Sequence, residues 1–176
     1  MITLQTITPQ NYNEVNQLIK IAFASAPHSD GNEAELTMAL RHDKNYSPTL
    51  EIVAKHRTGT LIGHAALSVA TIQEQPTTKI AVMAPLSVSP AFQGRGIGSS
   101  LISELEMRAL KNGFTAISVI GDPAYYERFG YQPAINYGLT APFQIPDENF
   151  MLHVINSNTT HCLTGQLIYA TAFHLI

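Results

Sequence analysis

The hydrophobic residues of the chain first follow a strand period and then a helical period. Thr3 to Ile7 alternates like a strand, and after Thr8-Pro9 apolar residues recur every three to four positions from Val15 to Phe23. A threonine followed by proline is typical of a helix N-terminus. We therefore predict a strand and then an amphipathic helix. A second helix is predicted from Asn32, which together with Glu35 resembles a capping box.

The middle of the chain predicts three strands. Two apolar runs, Leu50 to Ala54 and Leu61 to Val69, flank a short glycine-containing turn and indicate an antiparallel hairpin. The third strand is Ile80 to Val88. The side chains of Leu86 and Val88 share one face of this strand and are expected to pack in the core.

Helices and strands alternate in the remainder of the chain. An apolar stripe from Ile97 to Leu110 predicts a helix that stops at Gly113, and Ala116 to Ile120 is a β-branched strand. Asp122-Pro123 is expected to open a short helix through Phe129. Three further strand candidates follow: Tyr137 to Leu139, Phe150 to Ile155 and Gly165 to Ala170. This order predicts an α/β fold, a mixed sheet with helices on both faces.

Composition and charge restrict what the chain binds. Its 176 residues fit a single domain, 1–176, and 45% hydrophobic residues suffice for a sizeable core. A net charge of −3 gives no overall attraction to nucleic acid or to an anionic membrane, so neither is expected as a partner. No apolar run is long enough to span a bilayer, and the N-terminus does not read as a signal peptide. Cys162 is the only cysteine, which is compatible with the expected cytoplasmic location.

The most informative segment is a glycine-rich loop that leads into the helix at Ile97. Glycines at alternate positions, Gly94, Gly96 and Gly98, let the backbone approach a ligand and turn successive N–H groups one way. The helix start adds unpaired N–H groups and the positive end of its dipole, an arrangement that favours a diphosphate. A Walker A loop is excluded because Ser99-Ser100 follows Gly98, and a dinucleotide fingerprint lacks its third glycine.

Two motifs carry a resemblance to a known family. Gln93 to Gly98 matches the Gln/Arg-x-x-Gly-x-Gly/Ala signature of the GNAT superfamily of N-acetyltransferases, and Leu86-x-Val88-x-Pro90 matches the strand before it. Asp122 to Tyr131 is similar to the superfamily's Phe-Tyr-x-x-x-Gly-Phe element. The whole chain most resembles the YhbS-like branch. The resemblance implies the GNAT acyl-CoA N-acyltransferase fold, with a mixed antiparallel and parallel twisted sheet, and an N-acetyltransferase that uses acetyl-CoA.

The resemblance also implies how acetyl-CoA is held. In that fold the strand before the loop diverges from its neighbour, and the acyl-pantetheine arm lies beside it. The backbones of Leu86, Ser87 and Val88 would bind the arm. The N–H of Val88 would donate to the thioester oxygen, where one well-placed donor contributes ~3 kcal/mol. The pyrophosphate would lie on the loop, formed by Gln93, Gly94, Arg95, Gly96, Ile97, Gly98 and Ser99.

Tyr126 is implied as the general acid that protonates the leaving thiolate, and its neighbour Tyr125 as a core aromatic. The alternative is that Tyr126 only packs. Many family members bind pantetheine through an asparagine that this chain lacks, so the backbone of Gly121 replaces that contact or the contact is lost. Arg128 either reaches a phosphate of the cofactor or remains a solvated helix charge.

The sequence defines the base and the acceptor less well. Glu33 is the candidate base or substrate contact, although the helix dipole also favours a carboxylate in a first helical turn. A water chain is the alternative base. His64 lies within a predicted strand and is expected to be a packed or edge residue. The histidines show no metal-ligand spacing, so no metal is expected.

The expected function is transfer of an acetyl group to a primary amine of a small molecule, or of a peptide. The alternative is a catalytically silent module of the same fold that binds acyl-CoA or a protein partner. Retention of Tyr126 together with the complete glycine loop favours the transferase. The sequence is compatible with a homodimer and does not identify the acceptor.

Overall fold

The computed structural model describes residues 2–24, 26, 29–156 and 163–174. Cys162 lies outside these residues. The strands are β1 (Ile2–Thr6), β2 (Glu51–His56), β3 (Leu61–Ile72), β4 (Gln75–Val88), β5 (Ala116–Ile120), β6 (Gln132–Pro133), β7 (Leu139–Thr140), β8 (Phe150–Val154) and β9 (Gly165–Ile168). The α-helices are α1 (Tyr12–Phe23), α2 (Glu33–Leu40), α3 (Ile97–Lys111) and α4 (Pro123–Tyr126). No helix within the described ranges is long and apolar enough to cross a membrane.

These elements form two units. The first comprises Met1–Ser68, Ala84–Arg108 and Thr171–Ile176, and the second comprises Val69–Met83 and Ala109–Ala170. The strand order in the first unit is β1-β2-β3-β4, and the order in the second is β3-β4-β5-β8-β6. In the second unit β9 also pairs with the end of β3 and with β7.

In the first unit, helices cover both faces of an antiparallel sheet. Val53 of β2 stands opposite His64 of β3 and packs in the cluster of buried residues under α1. The Cα of the preceding residue of β3, Gly63, faces the opposite side of the sheet, because side-chain directions alternate along a strand. There a Cβ on Gly63 would lie 2.9 Å from Ile97 Cγ2 and 3.1 Å from Leu101 Cδ1. The absence of a side chain at Gly63 therefore lets α3 start close against β3.

The second unit contains the parallel part of the sheet. β4 and β5 run parallel in the register Ile80↔Ala116 to Val82↔Ser118, and β8 runs antiparallel to β5. The chain enters β5 after α3 ends, as predicted, at Gly113, which has a φ of +77°. The mixed sheet and the helices on both faces confirm the predicted fold class, whereas the single domain over residues 1–176 stays a prediction.

Three local predictions were wrong. The Asn32 side chain makes no capping hydrogen bond, because its backbone (φ −109°, ψ 9°) is not extended as a capping residue requires; Glu35 instead pairs with Lys20 at 3.4 Å. Tyr137 ends a 3₁₀ turn rather than opening a strand, since Gly138 turns the chain before β7. Leu110 is half exposed and does not belong to the buried stripe of α3.

A buried ion network ties the end of α2 to the β2–β3 hairpin in the first unit. Glu51 of β2 is 1% exposed and accepts hydrogen bonds from Arg41 Nη2 at 2.6 Å and from the Tyr46 hydroxyl at 2.8 Å. His64 Nε2 lies 2.8 Å from Glu51 Oε1. The Arg41 guanidinium also stacks 3.9 Å from the centre of the Tyr12 ring. Each buried charge therefore has a partner within the network.

This network determines the ionisation of Glu51. Burial by itself raises the pKa of a carboxyl group, but the hydrogen bonds from His64 and Arg41, together with the Arg41 charge, outweigh burial and lower the pKa of Glu51 from 4.5 to about 2. A carboxylate with a lowered pKa stabilises the folded state only while it is ionised. Its contribution is fully present above pH 4.5 and is lost as the pH falls through 2.

Glu51→Gln is therefore expected to remove an acid-sensitive part of the free energy of unfolding, about 3 kcal/mol. Urea unfolding between about pH 6 and pH 2 measures it. The wild type should lose this contribution over the acidic range, and Glu51→Gln should show a flatter profile. The control is Glu35→Gln, whose ion pair with Lys20 is solvent exposed and should leave the wild-type profile unchanged. Equal profiles for wild type and Glu51→Gln contradict the assignment.

Candidate active site

The glycine loop adopts a conformation that glycine favours and leaves its surface open. Gly94 and Gly96 have φ values of +72° and +77°, in the left-handed region. Both residues are exposed, and no atom lies within 4 Å of the position that a Cβ would occupy on either. A ligand can therefore approach the loop backbone closely at both positions.

The start of α3 presents unpaired backbone donors beside this loop. The first hydrogen bond of the helix runs from Ser100 N to Gly96 O at 3.0 Å, so the N–H groups of Ile97, Gly98 and Ser99 precede the helical ladder. The helix dipole adds positive potential at the same end. The Ile97 side chain is buried, which leaves its backbone to contact a ligand. The loop and the helix start together form a cradle for an anion.

Two further loop side chains have defined places. Gln93 Nε2 donates to Val88 O at 3.2 Å, so this side chain ties the loop to the end of β4. The Arg95 guanidinium lies 5.4 Å from the centre of the Phe92 ring and is exposed. Arg95 therefore places a cation next to the cradle, whereas the side chain of Gln93 acts on the shape of the loop.

The end of β4 directs one backbone donor away from β3. Ser89 N donates to Ile62 O at 2.9 Å, and because N–H groups alternate along a strand, the N–H of Val88 points to the other side. The side chain of Ser87 is buried, and its hydroxyl lies 3.4 Å from His64 O. Leu86 and Val88 are only partly buried, so the expectation that they pack in the core was wrong. Because side chains alternate along a strand, Ser87, between these two residues, is the one that faces the core.

In the second unit, the local sequence fixes Tyr126 at the end of α4. Asp122 caps this helix, as predicted, by accepting from Ala124 N at 3.0 Å. The Tyr126 side chain is 8% exposed, and its ring rests on the backbone of Gly121, where a Cβ would lie 2.9 Å from Tyr126 Cδ2. The Tyr131 ring packs edge-on at 5.5 Å. Gly121 therefore makes the space that holds the Tyr126 ring.

Burial defines the acid–base behaviour of Tyr126. Burial, and then the neighbouring Tyr125, raise the pKa of the Tyr126 phenol well above its ordinary value of 10. The group consequently stays protonated at neutral pH and can act as a proton donor. The structure contradicts the expectation that Tyr125 is the core aromatic, because Tyr125 is half buried and Tyr126 occupies the buried position over Gly121.

Arg128 and Gly121, next to the tyrosine pair, have defined partners within this unit, and their proposed contacts with the cofactor stay predictions. Arg128 Nε donates to Tyr125 O at 3.0 Å, and its guanidinium lies 4.4 Å from the Tyr125 ring centre, so Arg128 braces the helix end. The N–H of Gly121 donates to Asn149 O at 3.0 Å, and Asn149 Nδ2 donates to Gly121 O at 3.0 Å. The backbone of Gly121 is thus already paired with Asn149.

Glu33 lies in a pocket of about 470 Å³ in the first unit, between the end of α1 and the start of α2. The Ser29 hydroxyl donates to the Glu33 carboxylate and accepts from Gly31 N at 3.0 Å. Asp30 lines the same pocket, as do Lys20 and Glu35. The pocket wall therefore carries more acidic than basic side chains.

The sequence did not predict the buried network of Arg41, Glu51 and His64. His64 is packed, as expected, but β3 is an interior strand, so the edge position was wrong. A glutamate and a histidine inside two otherwise apolar runs were the signal that could have identified this network. Within the part of the chain that the structure describes, no three His, Cys, Asp or Glu side chains form a metal-binding group.

Comparison with known proteins places this geometry in a family. Residues 14–131 match the model of the acetyltransferase (GNAT) family. The chain is 32% identical over 134 residues to the uncharacterized N-acetyltransferase YjhQ of Escherichia coli (strain K12), covering 75% of this chain and 74% of that protein. It is 30% identical over 142 residues to the uncharacterized N-acetyltransferase YhbS of the same strain, covering 81% and 83%.

Two crystal structures show the same architecture. The GNAT family N-acetyltransferase YhbS from Escherichia coli, in complex with CoA, matches with a TM-score of 0.88 at 27% identity, over 98% of this chain and 92% of that chain. A GNAT family acetyltransferase from Brucella melitensis, in complex with acetyl-CoA, matches with a TM-score of 0.80 at 28% identity, over 98% of both chains. The family match and the identity to these relatives show that the chain belongs to the GNAT family of acetyltransferases.

Proposed function

We propose that this protein transfers the acetyl group of acetyl-CoA to a primary amine of a small molecule, or of a peptide. The observation that carries the proposal is the open anion cradle formed by the glycine loop and the start of α3. CoA has a pyrophosphate, the type of group that such a cradle binds. The CoA and acetyl-CoA complexes of the two similar enzymes support the choice of ligand.

Acetyl-CoA supplies an acetyl group activated as a thioester. The segment from Gln93 to Ser99 would hold its pyrophosphate through the backbone N–H groups of the loop and of the helix start. The backbones of Leu86, Ser87 and Val88 would hold the pantetheine arm. Support comes from the Val88 N–H, which points away from β3 and is therefore available for hydrogen bonding to the thioester oxygen.

Tyr126 would protonate the leaving thiolate. The thiol formed has an ordinary pKa of ~8.5, below that of a phenol. In water the thiolate is therefore a weaker base than the phenolate and does not readily take a proton from tyrosine. In a site from which water is excluded, a neutral phenol is a competent donor because an isolated thiolate is poorly solvated there. The burial of Tyr126, which keeps its phenol protonated, supports this role.

The acceptor amine would be bound as an ammonium ion by the pocket that contains Glu33. An alkylamine has a pKa of ~10.4 and enters the site protonated. The carboxylates of Glu33 and Asp30 fit a cation of this kind, and the Ser29 hydroxyl keeps the Glu33 carboxylate in place. A cytoplasmic location, a homodimer and the absence of nucleic-acid or membrane partners stay predictions.

The direct test measures thiol release from acetyl-CoA with a panel of small amines and short peptides. A transferase releases CoA only when an acceptor is present. Binding of CoA without turnover of any amine would identify a silent acyl-CoA-binding module and contradict the proposed function.

Gly96→Asp is expected to weaken CoA binding at least tenfold, a loss above ~1.4 kcal/mol, because it places a carboxylate in the pyrophosphate cradle. Titration calorimetry measures the affinity. Gly113→Asp is the matched control: Gly113 has the same φ of +77° and equally open surroundings, but lies at the other end of α3. Equal CoA affinity in both folded variants would remove the loop from the binding site.

Tyr126→Phe is expected to lower kcat by about 10² while CoA affinity stays nearly unchanged, because only a transition-state proton donor is lost. Steady-state kinetics and calorimetry on the same sample separate the two effects. Tyr125→Phe, which removes a hydroxyl from the adjacent half-buried ring, is the control and should turn over normally. Wild-type turnover by Tyr126→Phe would show that Tyr126 only packs.

Glu33→Gln is expected to raise KM for a cationic amine about tenfold and to leave CoA affinity unchanged, since it removes one negative charge from the pocket. Kinetics with an alkylamine at several pH values, and a melting curve, test this. Glu127→Gln, an exposed change in the second unit, is the control. A small drop in thermal stability with normal kinetics would show that Glu33 stabilises the helix through its dipole and does not bind the substrate.

A further inference from the structure

His64 carries a buried nitrogen atom that the described part of the chain leaves unpaired. Its side chain is 0% exposed, and Nε2 lies 2.8 Å from Glu51 Oε1. The other ring nitrogen, Nδ1, is also buried and has no hydrogen-bond partner among the described residues. Because buried polar atoms in native proteins nearly always have a partner, Nδ1 is a position at which a bound water molecule can donate a hydrogen bond.

The network around His64 defines which nitrogen carries the proton. The Glu51 carboxylate is ionised, since Arg41 and Tyr46 also donate to it, and an ionised carboxylate can only accept a hydrogen bond. Nε2 of His64 must therefore be the donor to Glu51. In the neutral imidazole this leaves a free lone pair on Nδ1, the state of a proton acceptor.

The charged and titratable groups around this pair come from several elements. Glu51 belongs to β2, Arg41 follows α2, and Tyr46 lies in the next loop. From α1, Tyr12 stacks on Arg41, and the Glu14 carboxylate accepts from Leu61 N on β3 at 2.9 Å. The neighbouring residue on β4 is Ser87, which has no charge.

His64 also lies next to the backbone segment proposed to hold the acyl group. The Ser87 hydroxyl donates to His64 O at 3.4 Å, and Ser89 N donates to Ile62 O at 2.9 Å, so Ser87 and His64 stand opposite each other on β4 and β3. Residues directly opposite in a sheet share a face. The imidazole is therefore one strand away from the Ser87 backbone, on its buried side.

We propose that His64, held by Glu51, accepts through a bridging water molecule the proton that the acceptor amine must lose before it attacks the thioester. This proposal rests on the proposed function. Glu51 would have two effects: it fixes the tautomer with the lone pair on Nδ1, and its charge offsets the charge of the imidazolium that forms.

The protons balance in the following way. One proton leaves the ammonium group for the water molecule, which passes a proton to His64 Nδ1. The neutral amine then forms the C–N bond as the C–S bond breaks. The thiolate receives the proton of Tyr126, and the second proton lost by the nitrogen atom returns to Tyr126 through solvent. His64 releases its proton to solvent, so the net reaction is ammonium plus thioester to amide, thiol and one proton.

His64→Gln tests the proposal, because a glutamine amide can still donate to Glu51 but has no basic nitrogen. We expect turnover of an alkylamine to fall about 10²-fold, with CoA affinity by calorimetry unchanged. The defect should shrink with an arylamine, which is already neutral at pH 7 and does not need this base. His42→Gln, a change at an exposed histidine that contacts only Met38 O, is the matched control and should behave like wild type.

The tautomer of His64 provides a second readout that needs neither a variant nor turnover. In wild-type protein with ¹⁵N-labelled histidine, NMR spectra should show His64 neutral, with a proton on Nε2 and a free lone pair on Nδ1, at the pH of activity. A His64 ring that stays doubly protonated, or protonated on Nδ1, across this pH range would overturn the proposal.

Failures of this proposal and of the proposed function are distinguishable. Wild-type protein that binds CoA but acetylates no amine overturns the transferase function and the role of His64 together. Normal turnover, or an equal defect with alkylamines and arylamines, in His64→Gln overturns only the role of His64. A loss of CoA affinity in this variant would show that His64 supports the fold of β4 rather than proton transfer.

Discussion

The surface proposed to bind CoA depends on how closely α3 packs against β3 at Gly63. Ile97 and Leu101 occupy the space that a side chain at this position would fill, so any larger residue must shift the Ile97 side chain at the start of α3. That turn carries the unpaired N–H groups, and Gln93 connects the preceding loop to β4. Packing in the core therefore determines where these N–H donors lie. If the proposed CoA site is correct, the side chains that touch Gly63 would influence ligand binding without any contact with the ligand.

The first unit uses two different arrangements for its polar groups. Around Glu51, every charge is neutralised by another protein group, as burial requires. At the start of α3, several backbone donors lie ahead of the helical ladder and have no partner among the described residues, so water or an anion can accept hydrogen bonds from them. His64 combines both situations, since one ring nitrogen is paired inside the network and the other is not. This difference separates groups that stabilise the fold from groups that are available for a ligand or a proton.

Local signals made most of the architecture predictable from the sequence. The helix after the glycine loop, its end at Gly113 and the Asp122 cap each depend on a few neighbouring residues, and the structure contains all three. The buried network was not predictable in this way, because Glu51 and His64 meet only through the register of β2 and β3. The relative burial of Tyr125 and Tyr126 likewise depends on the packing of one ring on the Gly121 backbone. Non-local contacts of this kind determine the burial and the hydrogen bonds of these side chains, so the fold was easier to predict than their environment.

The proposed mechanism would give Tyr126 and His64 opposite roles in proton transfer. Loss of water around Tyr126 disfavours the phenolate, so this residue keeps its proton near neutral pH and would give it only to a strong base such as a poorly solvated thiolate. His64 donates through Nε2 to an ionised carboxylate, so its remaining nitrogen can take a proton and the resulting charge is compensated. An acetyl transfer from a thioester to an ammonium ion needs one group of each kind. The proposed assignment of acid and base therefore rests on a phenol that burial keeps protonated and on an imidazole that a carboxylate orients, in two side chains that can each take either role in other surroundings.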